Sequence, residues 1–315
     1  MKSIVTGGSG FIGSHVVDKL IDAGHEVVVL DHRVKPHRDD VEFKDVNLVD
    51  YSSVLEATKG FDYIYHLGAM SNVNHVFEKP VYSVELNITG TVNVLEAARQ
   101  NNCKRLFFAS TVWVYTGCNG TYVNENSPFF MPGAGHIYSS SKIAGEFLIC
   151  DYQKLYGGPY TIFRYGIPYG PRMRKELVIP IFLRKAFNGE PLTISGDGSQ
   201  YRNFIYVEDL ADAHVLALKD EAENQILNME GMRRITIKEM AETIQKLVEK
   251  DVEIEFMPAR PGDFEGKEAS NDKIKRLYSG ANISPLSFNS GIMPPHPAVF
   301  IKKQCYENFG YFNLN

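Results

Sequence analysis

A chain of 315 residues with 44% hydrophobic side chains has enough apolar surface for one large domain or two smaller ones. Its net charge of -5 excludes the broad basic face that nucleic acid requires, while leaving room for a local positive pocket that takes a phosphorylated small molecule. No apolar run reaches the roughly 18 residues of a membrane span.

In chain order, residues 2–6 (KSIVT) predict a strand and 12–23 (IGSHVVDKLIDA) a helix with a stripe of Ile12, Val16, Val17, Leu20 and Ile21, ended by Gly24. EVVVLD at 26–31 predicts a second strand with too few polar positions to face water. Further strands are predicted at 41–44, 62–67, 105–110 and 160–164, with helices at 50–58, 83–101 and 138–156 between them. Continuous apolar strands alternating with amphipathic helices indicate an α/β fold, a parallel sheet covered on both faces. Residues 1–165 therefore read as a Rossmann-like domain.

Beyond residue 165 proline and glycine recur (GIPYGP, NGEP, SGDG) and the pieces shorten. Helices are predicted at 177–188, 208–219 and 236–249, and short strands at 192–194, 203–206, 226–229 and 252–256. This stretch, 166–277, reads as a smaller mixed α/β substrate-binding region, with 203–219 packing back onto the sheet domain. The tail 278–315, with its dense PPHP, carries few periodic apolar positions and is expected to be irregular.

Cys103, Cys118, Cys150 and Cys305 lie far apart and read as reduced thiols. The opening residues carry no signal-type segment, so a cytoplasmic protein is expected. The nine histidines lack metal-ligand spacing, and no metal is expected.

TGGSGFIG at 6–13 places Gly7, Gly10 and Gly13 between a strand and a helix. The first suits a tight turn, the second the approach of a diphosphate to the backbone, the third close helix–sheet contact. Asp31 ends the second strand, where a carboxylate meets the ribose hydroxyls of a dinucleotide. An acid there favours NAD over NADP; Arg33 weakens that preference. Asp45 and Val46 follow the third strand, Leu67, Gly68 and Ala69 end the fourth, and Asn87 lies in the next helix, all in the order a bound dinucleotide needs. A glycine turn without ligand is the bland alternative for the motif taken alone.

Together TGGSGFIG, VVLD, YHLGA, Ser110-Thr111, Tyr138-SSS-Lys142, Arg164-Tyr165, RNFIYVEDLADA (202–213) and RPGD (260–263) resemble the extended short-chain dehydrogenases/reductases, and within them the NAD-dependent epimerase/dehydratase branch that acts on nucleotide sugars. The resemblance runs from residue 2 to about 277. It implies Thr111, Tyr138 and Lys142 as the catalytic group, with Phe11, Ile12, His32, Ser110 and Tyr165 added to the cofactor set. It also implies substrate contacts from Ser71, Trp113, Ile167, Arg202, Arg260 and Asp263, and a homodimer formed through helices 89–100 and 142–155. Arginine suits the diphosphate because its fork matches phosphate oxygens.

Tyr138 and Lys142 are one helical turn apart and share a face. A phenol near pKa 10 is a poor base, and an adjacent ammonium favours its phenolate. Dehydratases of the family usually follow the threonine with Asp-Glu and decarboxylases keep a glutamate nearby; here Val112 and Trp113 follow, and neither transfers a proton. The resemblance therefore implies a UDP-hexose 4-epimerase working through a transient 4-keto sugar. A 4-keto nucleotide-sugar reductase and a catalytically silent dinucleotide-binding regulatory protein are the alternatives. Ile167 and Leu177 or its neighbours stand where 4-epimerases commonly carry asparagine, so the sugar and nucleotide stay open; Asn271 replaces a usual aspartate where the atypical tail begins.

Overall fold

The computed structural model describes residues 1–131, 135–248, 251–258 and 267–278. The chain opens with β1 (Lys2–Thr6), α1 (Phe11–Asp22), β2 (Glu26–Asp31), β3 (Glu42–Asp45), α2 (Tyr51–Ala57) and β4 (Tyr63–His66). Two short helices, α3 (Val73–Glu78) and α4 (Pro80–Val84), lead through a π-helical turn at Glu85–Thr89 into α5 (Gly90–Gln100). Then come β5 (Arg105–Thr111), a 3-10 turn at Val112–Tyr115, β6 (Tyr122–Val123), α6 (Ile137–Tyr156) and β7 (Tyr160–Tyr165). The remainder is β8 (Ile167–Tyr169), α7 (Val178–Asn188), β9 (Leu192–Ser195), β10 (Tyr201–Tyr206), α8 (Val207–Leu216), β11 (Gln225–Met229), β12 (Arg234–Thr236), α9 (Ile237–Leu247), β13 (Ile254–Met257), β14 (Glu268–Ala269) and α10 (Asp272–Tyr278).

Seven strands form one sheet in the order β11-β7-β5-β4-β1-β2-β3, all pairs parallel. The centre of that order is the doubly wound arrangement expected for a dinucleotide-binding half. Successive side chains of a strand point to opposite faces, and the two cores follow that parity. Val5, Phe107, Phe163 and Tyr165 pack with Val16, Leu20 and Leu210 on one face. Ile4, Leu106, Phe108 and Ile162 pack with Val54, Val94 and Ile149 on the other.

The substrate-side lobe has its own core, in which Phe182 and Leu183 of α7 meet Met240 and Ile244 of α9 over Ile194 and Phe204. Its sheets are small: β12-β10-β8 and β13-β9. α8 packs back on the sheet domain, since Leu210, Ala211 and Ala213 share a core with Val16 and Val17.

Two expectations need correction. The strand near 226–229 does not belong to the substrate lobe; β11 pairs with β7 and completes the large sheet, with Leu227 opposite Phe163. The helix read over 83–101 is present but starts earlier, at Pro80, and is irregular: its backbone stays helical through a π turn at Glu85–Thr89 into α5. The tail from 279 onward lies outside the described residues.

Candidate active site

A cavity of about 800 Å³ runs along the carboxyl ends of the parallel strands, where ligands of open α/β sheets bind. At one end is the β1–α1 turn. Gly7 has φ +69, and a Cβ on Gly13 would lie 2.1 Å from the Gly7 carbonyl oxygen, so the turn requires glycine at both places. Gly10, Phe11 and Ile12 line the cavity. α1 begins there with no side-chain cap and no acidic residue in its first turn, which leaves its N–H groups and positive dipole end for an anion.

Asp31 lines the same end. Its carboxylate accepts the Ser9 N–H at 3.2 Å and the His32 N–H at 2.8 Å, and burial pushes its pKa up against those bonds. His32 and Val46 also line the cavity, as do Leu67, Gly68, Ala69 and Ser71. Asp45 does not. Its carboxylate turns away to His32 Nδ1 (3.0 Å) and the Arg33 N–H (3.1 Å), and the next residues, Asn47 and Leu48, take the wall position instead.

The other end gathers Ser110, Thr111, Trp113, Tyr138, Lys142, Tyr165 and Ile167 around the cavity. Thr111 ends β5, and its Oγ1 accepts the Trp113 N–H at 3.2 Å, leaving the hydroxyl proton to donate. Tyr138 lies in the first turn of α6, which His136 caps by accepting the Ser139 N–H on Nδ1. The Trp113 ring packs on His136, with centroids 4.9 Å apart.

Lys142 is only 4% exposed, and its Nζ lies 4.7 Å from the centre of the Phe108 ring and 5.9 Å from that of Tyr138. Burial presses its pKa down to about 7, with Glu146 acting the other way. Burial raises the Tyr138 phenol to about 12, and the Arg174 guanidinium on the cavity wall opposes that rise. Tyr165 donates its hydroxyl to His214 Nε2 at 2.6 Å. The direction follows because His214 Nδ1 faces the Leu210 carbonyl at 2.8 Å, which can only accept, and burial keeps the ring neutral with a pKa of about 4.

Asn87 is buried outside the cavity wall. Its amide accepts the Met70 N–H at 2.8 Å and donates to the Met70 carbonyl and to Ser141 Oγ, each at 3.1 Å, so it ties the β4 end loop to α6. Ser110 lines the cavity, yet its hydroxyl donates to Glu146 behind it and is not turned to a cofactor. Arg202 sits in β10, donates to the Tyr201 carbonyl at 2.8 Å and does not line the cavity. Arg260 and Asp263 lie outside the described residues. Wall residues that the sequence does not single out include Met70, Asn72, Tyr82, Met173, Arg174 and Glu176. Most of them come from irregular loops, where no periodicity marks them. Among the described residues no group of three His, Cys, Asp or Glu is placed to hold a metal.

A parallel sheet with this strand order, a glycine turn at a free helix end and a threonine–tyrosine–lysine group across one cavity define an extended short-chain dehydrogenase/reductase with a dinucleotide site. The NAD-dependent epimerase/dehydratase family model matches residues 3–229, and the chain belongs to that family. A UDP-N-acetyl-alpha-D-glucosaminuronate decarboxylase of Bacillus cytotoxicus is 32% identical over 92% of this chain and 95% of its own. The UDP-glucose 4-epimerase of Thermus thermophilus, solved with NAD, superposes with a TM-score of 0.80 at 32% identity, covering 91% of this chain and 96% of that one. The UDP-glucuronic acid 4-epimerase of Bacillus cereus, solved with UDP-glucuronic acid and NAD, gives 0.81 at 28% identity, covering 91% and 96%.

NAD is the cofactor of this family, and the uncapped α1 terminus, the glycine turn and Asp31 fit it. The family comprises nucleotide-sugar epimerases, dehydratases and decarboxylases. Among the described residues no helix is long and apolar enough to cross a membrane.

Proposed function

We propose that the protein is an NAD-dependent nucleotide-sugar epimerase that inverts C4 of a UDP-hexose. The observation that carries this choice among the family's reactions is the turn after Thr111. There Val112 is buried in a small apolar cluster and Trp113 packs beside it, so neither residue after Thr111 can move a second proton, and the hydroxyl of Tyr115 is buried off the cavity wall on Arg164 and Asn228. Epimerisation by transient oxidation needs only one acid–base group. Elimination of water needs further proton transfers.

In this mechanism Thr111 donates its free hydroxyl proton to the sugar oxygen and holds it beside Tyr138. Tyr138 as phenolate removes the proton from that oxygen and later returns it. The ammonium of Lys142 favours the phenolate. Bound NAD supplies reversible hydride uptake. Asp31 holds the adenosine ribose, and the α1 N-terminus takes the diphosphate. Trp113, Met173 and Leu177 give the cavity an apolar stretch of wall beside which the ketone turns.

The test is incubation of the purified protein, without added cofactor, with a panel of UDP-sugars followed by NMR. Interconversion of C4 epimers supports the proposal; release of carbon dioxide or a dehydrated product overturns it. We also assign a homodimer through α6, whose outer side exposes Phe147, Leu155 and Tyr156. Sedimentation is expected to give twice the chain mass, and a monomer at micromolar concentration would contradict it.

A further inference from the structure

Ser110 and Arg164 stand opposite each other in the β5–β7 register, and strand parity turns both toward α6. There they meet Glu146. Arg164 donates from Nε at 3.0 and 3.2 Å and from Nη2 at 2.6 Å, and Ser110 donates its hydroxyl to the same carboxylate. The second arm of Arg164 reaches the Tyr115 hydroxyl at 2.7 Å, which donates onward to Asn228. Arg164 and Glu146 are each 2% exposed.

A buried ion pair of this kind adds little stability, because desolvation offsets the attraction. Its position is more informative. Glu146 lies one turn beyond Lys142 on the same face of α6, and both are buried. Among the described residues no other carboxylate acts on the lysine. His66 of β4 is neutral, held at about 3 by burial and by Lys142 itself. Thr111 of β5 is a hydroxyl, and Tyr165 of β7 has its proton committed to His214. The carboxylate acting on Lys142 is Glu146.

We propose that Glu146 is a positioning residue for the reaction: its carboxylate keeps Lys142 in the ammonium form, and Arg164 with Ser110 pins that carboxylate between α6 and the ends of β5 and β7. This rests on Tyr138 and Lys142 being the catalytic pair. Burial already brings Lys142 to about 7 with Glu146 in place, so loss of the carboxylate leaves a neutral amine at pH 7 and a phenol that is harder to ionise.

The experiment compares wild type with Glu146→Gln and with the double variant Glu146→Gln/Arg164→Met, which leaves no unpaired guanidinium to unfold the core. Trace acetylation with acetic anhydride across pH 5–10, read at Lys142 by peptide mass, gives the lysine's titration midpoint without needing turnover. The expected result is a fall of about one pH unit in Glu146→Gln and a smaller fall in the double variant, which also loses the Arg164 charge, with the acid limb of kcat moving up in step. An unchanged midpoint in Glu146→Gln that melts like wild type, or in the double variant where only that one folds, overturns the proposal and reduces Glu146 to a structural role. A shifted midpoint in a protein that turns over no UDP-sugar upholds the electrostatic role and removes the epimerase assignment instead.

Discussion

Gly145 of α6 lies so close to Phe108 of β5 that a Cβ built on it would come 2.7 Å from the tip of the ring. The contact sets the height of α6 above the sheet, and with it the seat of Lys142 over the same ring. Gly145→Ala should therefore destabilise the fold by about 1–3 kcal/mol through overpacking, outweighing the ~1 kcal/mol that alanine gains in a helix. Turnover should fall further than stability explains, because the tyrosine–lysine pair rides on the displaced helix. Thermal melts and kcat measured on the same preparation check both.

Lys142 is an ammonium taken out of water. Its folded pKa, about 7, lies below the ordinary 10.5, so the folded state binds the proton less tightly than the unfolded chain. The resulting penalty is complete below pH 7 and fades as pH rises toward 10.5. Lys142→Met should thus raise the melting temperature, most at pH 6 and hardly at pH 10, while abolishing turnover. A gain independent of pH would show that packing, not charge, is responsible.

Glu230 follows β11 at the junction of the two lobes. Its carboxylate accepts the Ala269 N–H at 2.6 Å, its Cγ would crowd a side chain at Gly166, and burial raises its pKa to about 7. Asn271 accepts the Glu230 N–H at 3.0 Å and donates to its carbonyl at 2.7 Å; the second bond needs an amide, which an aspartate could not supply. The folded state binds the Glu230 proton more tightly than the unfolded chain, so this contribution is largest below pH 4.5 and is lost as pH rises through 7. Glu230→Gln should stabilise the protein at pH 8 and leave it unchanged at pH 4.5, as differential scanning calorimetry would show.

Legibility follows range. β1, β2 and β5 are short runs rich in apolar residues, α1 carries its periodicity locally and α6 its cap as well, so the sheet domain and the Tyr138–Lys142 pair are readable from the chain. β11 is misplaced by sequence reasoning because nothing within 225–229 says that it pairs with β7, more than 60 residues earlier. Ser110 inherits a cofactor role only from its neighbour Thr111; alternation along β5 points it to the opposite face, toward Glu146. Asn87 owes its place to a π turn, which no propensity marks, and Asp45 is captured by His32 and Arg33 across a loop. The wall around Met173 and Arg174 is built from irregular backbone, whose shape depends on the lobe it packs against.

The most direct test of a phenolate-assisted oxidation at one sugar carbon follows UDP-glucose carrying deuterium at C4. The account predicts that the purified protein forms the C4 epimer with the deuterium still on C4, and that Tyr138→Phe lowers this rate by about 10²–10⁴ while keeping its bound NAD. Loss of the label to solvent, a decarboxylated or dehydrated product from the uronate or hexose substrates, or full activity in Tyr138→Phe would contradict it.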